Sequence, residues 1–166
     1  MSYQIEAEGL ERVQRALRES SSTFGKHIRG MIMEIGNYAK NEARGRLHPG
    51  GPGYVTGNLQ REISLRIRSD YEGEVISEAP YSAFVEYGTR AHFPPVSAMV
   101  ESARMKFGLH GKEAESVGFL VARAISRWGT RGIHFMEAAA RFAISKVPET
   151  LNRWMKFFLE DLERSG

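Results

Sequence analysis

Ile63-Ser64-Leu65-Arg66-Ile67-Arg68 puts apolar side chains on one face and polar ones on the other, at the two-residue period of a half-buried strand. Helical periodicity runs through much of the remaining chain, so this stretch decides the fold class. A strand needs a partner, and the following residues supply one. Ser69 to Gly73 read as a connection and Glu74 to Glu78 as a second strand, which predicts a hairpin over about residues 60–78. Pairing Arg68 opposite Glu74, with Glu78 on the same outer face, offsets opposite charges and leaves the arginines on a solvated sheet surface.

Beyond the hairpin, Tyr81 to Tyr87 predict a short helix ended by Gly88, because glycine reaches backbone angles closed to other residues. Pro94-Pro95 leads stiffly into a helix from about Val96 to Phe107, which Gly108 stops. After a loop at Leu109 to Gly111, a helical stripe of Val117, Leu120, Val121, Ala124, Ile125 and Trp128 ends at Gly129. Phe135, Ala138, Ala139 and Phe142 mark a further helix. Pro148 suits the start of a separate last one, carrying Leu151, Met155, Phe158 and Leu162.

Upstream, His48-Pro49-Gly50-Gly51-Pro52-Gly53 cannot continue a helix, and is expected to be a flexible loop at about residues 48–55. Before it, Phe24, Ile28, Ile32, Ile35 and Ala39 form the stripe of a long helix. Gly25, Gly30 and Gly36 each cost that helix about 1 kcal/mol relative to alanine, unless close packing against a neighbour offsets it. Ser20 to Thr23 can cap its start, which leaves Leu10, Val13 and Leu17 to a first short helix. Ser2 to Ala7 alternate as a strand, with Tyr3, Ile5 and Ala7 on one face. The expected fold is α+β: a small antiparallel sheet of hairpin plus N-terminal strand, packed with a long N-terminal helix and C-terminal helices.

The chain has 166 residues, 42% of them hydrophobic, which fits a single domain over 1–166. A chain of this size buries about 70% of the surface that its unfolded form exposes. Its 23 basic and 20 acidic residues give a net charge of +3, a mixed surface rather than a polycation. With no cysteine, disulfides, thiolate catalysis and cysteine-bound metal are excluded. Met1 to Leu10 lack the basic start and apolar run of a leader, and no apolar stretch approaches the ~20 residues of a membrane helix. The expectation is a soluble, unprocessed chain that engages no membrane.

Catalytic patterns are missing. His27, His48, His92, His110 and His134 are scattered without metal-binding spacing, and there is no serine elbow and no lysine-bearing phosphate loop. Glu86, near Tyr81, Tyr87, His92 and His134 in the chain's motifs, is the one candidate general base. No partner of defined role accompanies it. The reading is therefore structural: Glu86 accepts hydrogen bonds from the Gly88-Thr89 turn or pairs with Arg90 or Arg131, and no enzyme activity, metal or cofactor is expected. His92 and His134 likewise read as framework or interface residues. Trp154, Phe157 and Phe158, with Met155 and Leu162, exceed one narrow stripe on the last helix; core packing explains most of that surface, and the residual, chiefly Phe157 with Trp154, makes the three aromatics candidates for a subunit contact.

Three spaced motifs carry a resemblance. Tyr81-Ser82-Ala83-Phe84-Val85-Glu86-Tyr87-Gly88-Thr89-Arg90-Ala91-His92-Phe93-Pro94-Pro95 lies between Thr56-Gly57-Asn58-Leu59 and Arg131-Gly132-Ile133-His134-Phe135-Met136-Glu137-Ala138. With them the chain resembles the neck or tail-completion proteins that join head to tail in long-tailed bacteriophages, over most of its length from Leu10. The resemblance implies that the bend at Tyr87-Gly88-Thr89, the Phe93-Pro94-Pro95 segment and the element centred on Phe135 are framework parts that pack together. It also implies a virion protein of the neck, assembled in the bacterial host's cytoplasm. Its copies form a ring, a hexamer rather than a dodecamer, between a head connector or stopper protein and a tail terminator protein. DNA passing through such a ring is contacted without sequence specificity, with Arg44, Arg46, Arg66 and Arg68 as candidate lining residues. The loops at His48 to Gly53 and Leu109 to Ala114 are candidate docking segments. The basic balance and these arginines also allow a DNA-binding or packaging accessory protein. An enzyme built on Glu86, His92 and His134 would need a metal or activated nucleophile that the sequence does not offer.

Overall fold

The computed structural model describes the backbone of residues 10–165 other than 52 and 54, and the side chains of 22–164 other than those two. In chain order the elements are α1 (Leu10–Arg46), α2 (Asn58–Arg61), β1 (Ile63–Ser69), β2 (Glu72–Ser77), α3 (Ser82–Tyr87), β3 (Gly88–Thr89), α4 (Val96–Phe107), α5 (Gly111–Trp128), β4 (Thr130–Arg131) and α6 (Phe135–Ser165). The fold is α+β and mostly helical, with a long N-terminal helix, C-terminal helices and a small antiparallel sheet. The strand expected at Ser2 to Ala7 lies outside the described residues.

Two expected helix breaks are absent. α1 runs unbroken through Ser20 to Thr23, so these residues sit inside a helix rather than capping a second one. α6 likewise runs through Pro148. A proline inside a helix removes one hydrogen bond, here to the carbonyl of Ile144, but both residues are exposed and water can take that acceptor. Packing along α1 holds the rest of α6 in line.

α1 and α6 lie against one another, and the β1–β2 hairpin also rests on α1. Close approach explains two of the helix glycines. A methyl group at Gly30 would collide with the Trp154 ring, and one at Gly36 with Leu65. Gly25 meets Asp70 only at ordinary contact distance. The hairpin register puts Arg66, not Arg68, opposite Glu74, with a bulge between Ile67 and Ser69. The bulged strand leaves Arg68 free of a direct partner across the ladder, yet its guanidinium still reaches Glu74 diagonally at 2.7 Å, while Arg66 pairs with Glu78. The outer face is charge-balanced, with different couples from those expected.

The core gathers where the end of α1, the root of the hairpin and the start of α6 converge: Ala43, Leu47, Leu59, Ile63, Ala79, Phe135 and Ala139. Gly57, at φ 75°, turns the chain into α2 so that Leu59 enters this core, and the Asn58 N–H donates to Thr56 Oγ1 at 3.4 Å. Phe135, Leu47 and Ile63 are essentially solvent-free, each contributing about 1.5–3 kcal/mol by burial. Among the described residues no helix is long and apolar enough to cross a membrane.

Candidate functional site

The Tyr81–Pro95 segment and the Arg131–Ala138 segment meet in one joint. α3 ends at Gly88, whose φ of 79° and ψ of −174° lie in an extended region essentially reserved for glycine. From there β3 pairs antiparallel with β4, Gly88 beside Arg131 and Thr89 beside Thr130. Gly129, at φ 68° and ψ −158°, mirrors that geometry on the returning strand. The backbones are so close that a methyl group at Gly88 would strike the Thr130 carbonyl, one at Gly129 the Thr89 carbonyl, and one at Gly132 the Glu86 carbonyl. The hydroxyls of Thr89 and Thr130 share a 2.9 Å hydrogen bond, and the Thr130 N–H donates to Thr89 Oγ1 at 3.2 Å. Beyond the ladder, the N–H groups of Ile133 and His134 donate to the carbonyls of Val85 and Glu86 at 3.0 and 3.1 Å.

That zipper delivers Glu86 to the start of α6. The residue is 5% exposed, and its two carboxylate oxygens accept the N–H groups of Met136 at 2.8 Å and Glu137 at 3.0 Å. The first turn of a helix leaves its N–H groups unpartnered and carries partial positive charge, so a buried carboxylate there is stabilised by both hydrogen bonds and dipole. Glu86 is thus a cap donated from another part of the chain. Neither the Gly88-Thr89 turn, nor Arg90, nor Arg131 is its carboxylate's partner as expected; Arg90 and Arg131 are exposed. His134, immediately before α6, sits at φ 51° with its carbonyl accepting the Ala138 N–H, and its Nδ1 lies 3.1 Å from Glu137. Sequence did carry a clue. Gly132-Ile133-His134 contains none of the serine, threonine, aspartate or asparagine that usually caps a helix, so the cap had to come from elsewhere.

Glu86, His134 and Glu137 are close enough together to be tested as metal ligands. Both Glu86 oxygens already accept N–H donors from the first turn of α6, so that carboxylate is satisfied by the chain itself. The same two bonds engage both of the oxygens that a general base would use. His92 is exposed and held apart from that trio by local bonds, its Nδ1 2.9 Å from the Arg90 carbonyl. The joint holds geometry.

What the joint exposes is aromatic. Tyr87 is 73% exposed and meets His134 edge-on, while Phe84 and Phe93 also stand mostly in solvent. Beside them a groove of about 480 Å³ runs between the joint and α4–α5, lined among others by Tyr81, Phe84, Val85, Pro94, Met99 and Ile125. Pro94 is buried and Pro95 precedes the first turn of α4.

The other candidate residues lie elsewhere. Trp154 and Phe158, expected at a subunit contact, face α1: Trp154 covers Gly30 and donates its indole N–H to Glu34 at 2.9 Å, and Phe158 meets Phe24 edge-on at 5.2 Å. Phe157 alone of the three is exposed. Arg153 and Tyr38 also donate to Glu34, and these bonds, led by that of Trp154, hold the carboxyl below its ordinary value of 4.5. Arg44 is turned inward to the carbonyl of Ile63 at 2.8 Å and Arg46 pairs with Glu42 at 2.9 Å, so with Arg66 and Arg68 all four arginines are engaged within the chain. No protein-family model, no curated protein and no solved structure matches this chain.

Proposed function

We propose that the chain is a structural virion protein of the phage head-to-tail junction, akin to the neck or tail-completion proteins that its motifs resemble. It serves as a ring subunit around the DNA path, between a head connector or stopper and a tail terminator. The observation that carries the reading is the joint: two motif elements, separated by the whole of α4 and α5, form one glycine-locked unit ringed by exposed aromatics. Exposed aromatic side chains set on a rigid frame suit docking, whereas a carboxylate consumed as a helix cap does not suit catalysis. Arginines that are already neutralised suit a conduit through which DNA passes without being gripped.

Electron microscopy of particles from a phage deleted for the gene, with the gene restored in trans as control, tests this reading. DNA-filled heads beside separate, complete tails are expected. Intact infectious particles would overturn it.

A further inference from the structure

The groove beside the joint is walled from two sides. α4 and α5 pack chiefly on each other, and α5 does so through small residues, Ala114, Gly118 and Ala122, all buried. A methyl group at Gly118 would collide with the backbone of Val100. That small contact face leaves the bulkier, half-buried Met99 and Ile125 to one wall of the groove, and half-buried Val85 of α3 stands in the other. Phe84 and Tyr81, 61% and 41% exposed, extend the apolar surface along its border. The volume of about 480 Å³ is within the range of ordinary ligand clefts.

The charge in the groove has one sign. His92, Lys106 and Arg131 line it, and among its described lining residues there is no aspartate or glutamate. Lys106 reaches only a neutral acceptor, the Gly51 carbonyl at 3.5 Å, and Arg131 is in no ion pair with a described residue. Carboxylates on the surrounding elements are engaged elsewhere: Glu86 at the start of α6, Glu101 with Arg104, and Glu137 with His134 and Arg141. Glu113 and Glu115 of α5 do not line the groove and form no ion pair with Lys106. An apolar floor beneath unanswered positive charge does not suit a nucleobase, whose ring edges need hydrogen-bond partners, nor a bare phosphate, which has nothing apolar to bury. It suits a peptide in which a large apolar side chain lies beside carboxylates. We propose that the groove binds such a segment of a partner protein, acidic and carrying a bulky aliphatic or aromatic residue. The apolar side chain supplies most of the affinity, and the cations select the sign of its neighbours and speed the encounter. An open run with an aromatic border suits a chain passing through it rather than a compact small molecule. The inference rests on the groove alone and stands apart from the neck reading.

Selection of a random peptide library, about twelve residues long, on the full chain tests the proposal, followed by titration calorimetry of an enriched peptide. Enriched sequences should set a leucine, phenylalanine or tryptophan beside aspartates or glutamates. Alanine in place of that large residue, or Lys106→Glu/Arg131→Glu in the protein, should each weaken binding at least about tenfold, and binding should fall as salt rises. Lys156→Glu/Arg164→Glu changes the net charge equally at exposed positions of α6 outside the groove, and should leave the affinity within about twofold. All four positions are exposed, so helix content by circular dichroism should not change. No enrichment, enrichment of basic or uncharged peptides, undiminished binding to Lys106→Glu/Arg131→Glu, or equal loss in both double variants would overturn the proposal. So would three other outcomes that depend on Lys106 and Arg131. Tighter binding of decanoate would assign the groove to a small amphiphile, tighter binding of a thymidine oligonucleotide to nucleic acid, and self-association in sedimentation to a second copy.

Discussion

At the scale of single residues, Glu86 and the joint glycines make sharp demands. Glu86→Ala leaves two N–H groups of α6 without acceptors in a dry setting, and should lower unfolding stability by about 2–4 kcal/mol in urea titrations. Glu86→Gln retains one acceptor oxygen and should lose about half as much; equal losses would deny the cap its role. Gly88→Ala adds a backbone collision to a conformation that side chains avoid, and should cost more than about 3 kcal/mol. Gly45, by contrast, is a helical glycine of α1 with open space where a methyl would go, so Gly45→Ala should stabilise by about 0.5–1 kcal/mol. The need for positive φ at Gly88 was legible, because a helix ending in glycine advertises it. The partner of Glu86 was not, because a cap is ordinarily sought within a few residues and this one arrives from 50 residues away.

At the scale of elements, the place of α4 was legible because proline and glycine punctuate both of its ends. Pro148 and Ser20 to Thr23 misled for a related reason: serine and threonine weaken a helix by well under about 1 kcal/mol each and proline by about 3, and a long helix packed along a neighbour carries both costs and continues. The α1–α6 pair is tied near its middle by Glu34, which takes bonds from Trp154, Arg153 and Tyr38. Glu34 titrates below its ordinary value, so its contribution is fully present above that value and is lost as pH falls through the lowered one. Tryptophan fluorescence followed through thermal unfolding should show the chain losing stability as the pH drops below about 4.5, and Glu34→Gln should flatten that part of the profile. A profile unchanged by the substitution would place the acid sensitivity elsewhere.

At the scale of the whole molecule, the β3–β4 ladder divides the chain into a body and an arm. Thr89 and Thr130 are neighbours, so everything between them leaves and returns through a single point. Replacing residues 90–129 with Asn-Gly, a pair suited to a tight hairpin, should leave the body folded, with α1 still packed on α6. Circular dichroism showing loss of the body's helices as well would refute this division. The alternation of Ile63 to Arg68 made the hairpin legible, and the stripe on α5 was equally plain as a period. Which way that stripe faces was not plain, since large apolar residues at helical spacing read as core until Ala114, Gly118 and Ala122 are seen to have taken that place.

The ladder also determines how the arm bears load. A pull on the tip between α4 and α5 drags both legs in the same direction, so it does not peel β3 from β4. Tension passes instead into α3 and the first turn of α6, and the Glu86 carboxylate rivets those two anchors together. A tug on the arm is therefore felt along the full 31-residue shaft of α6.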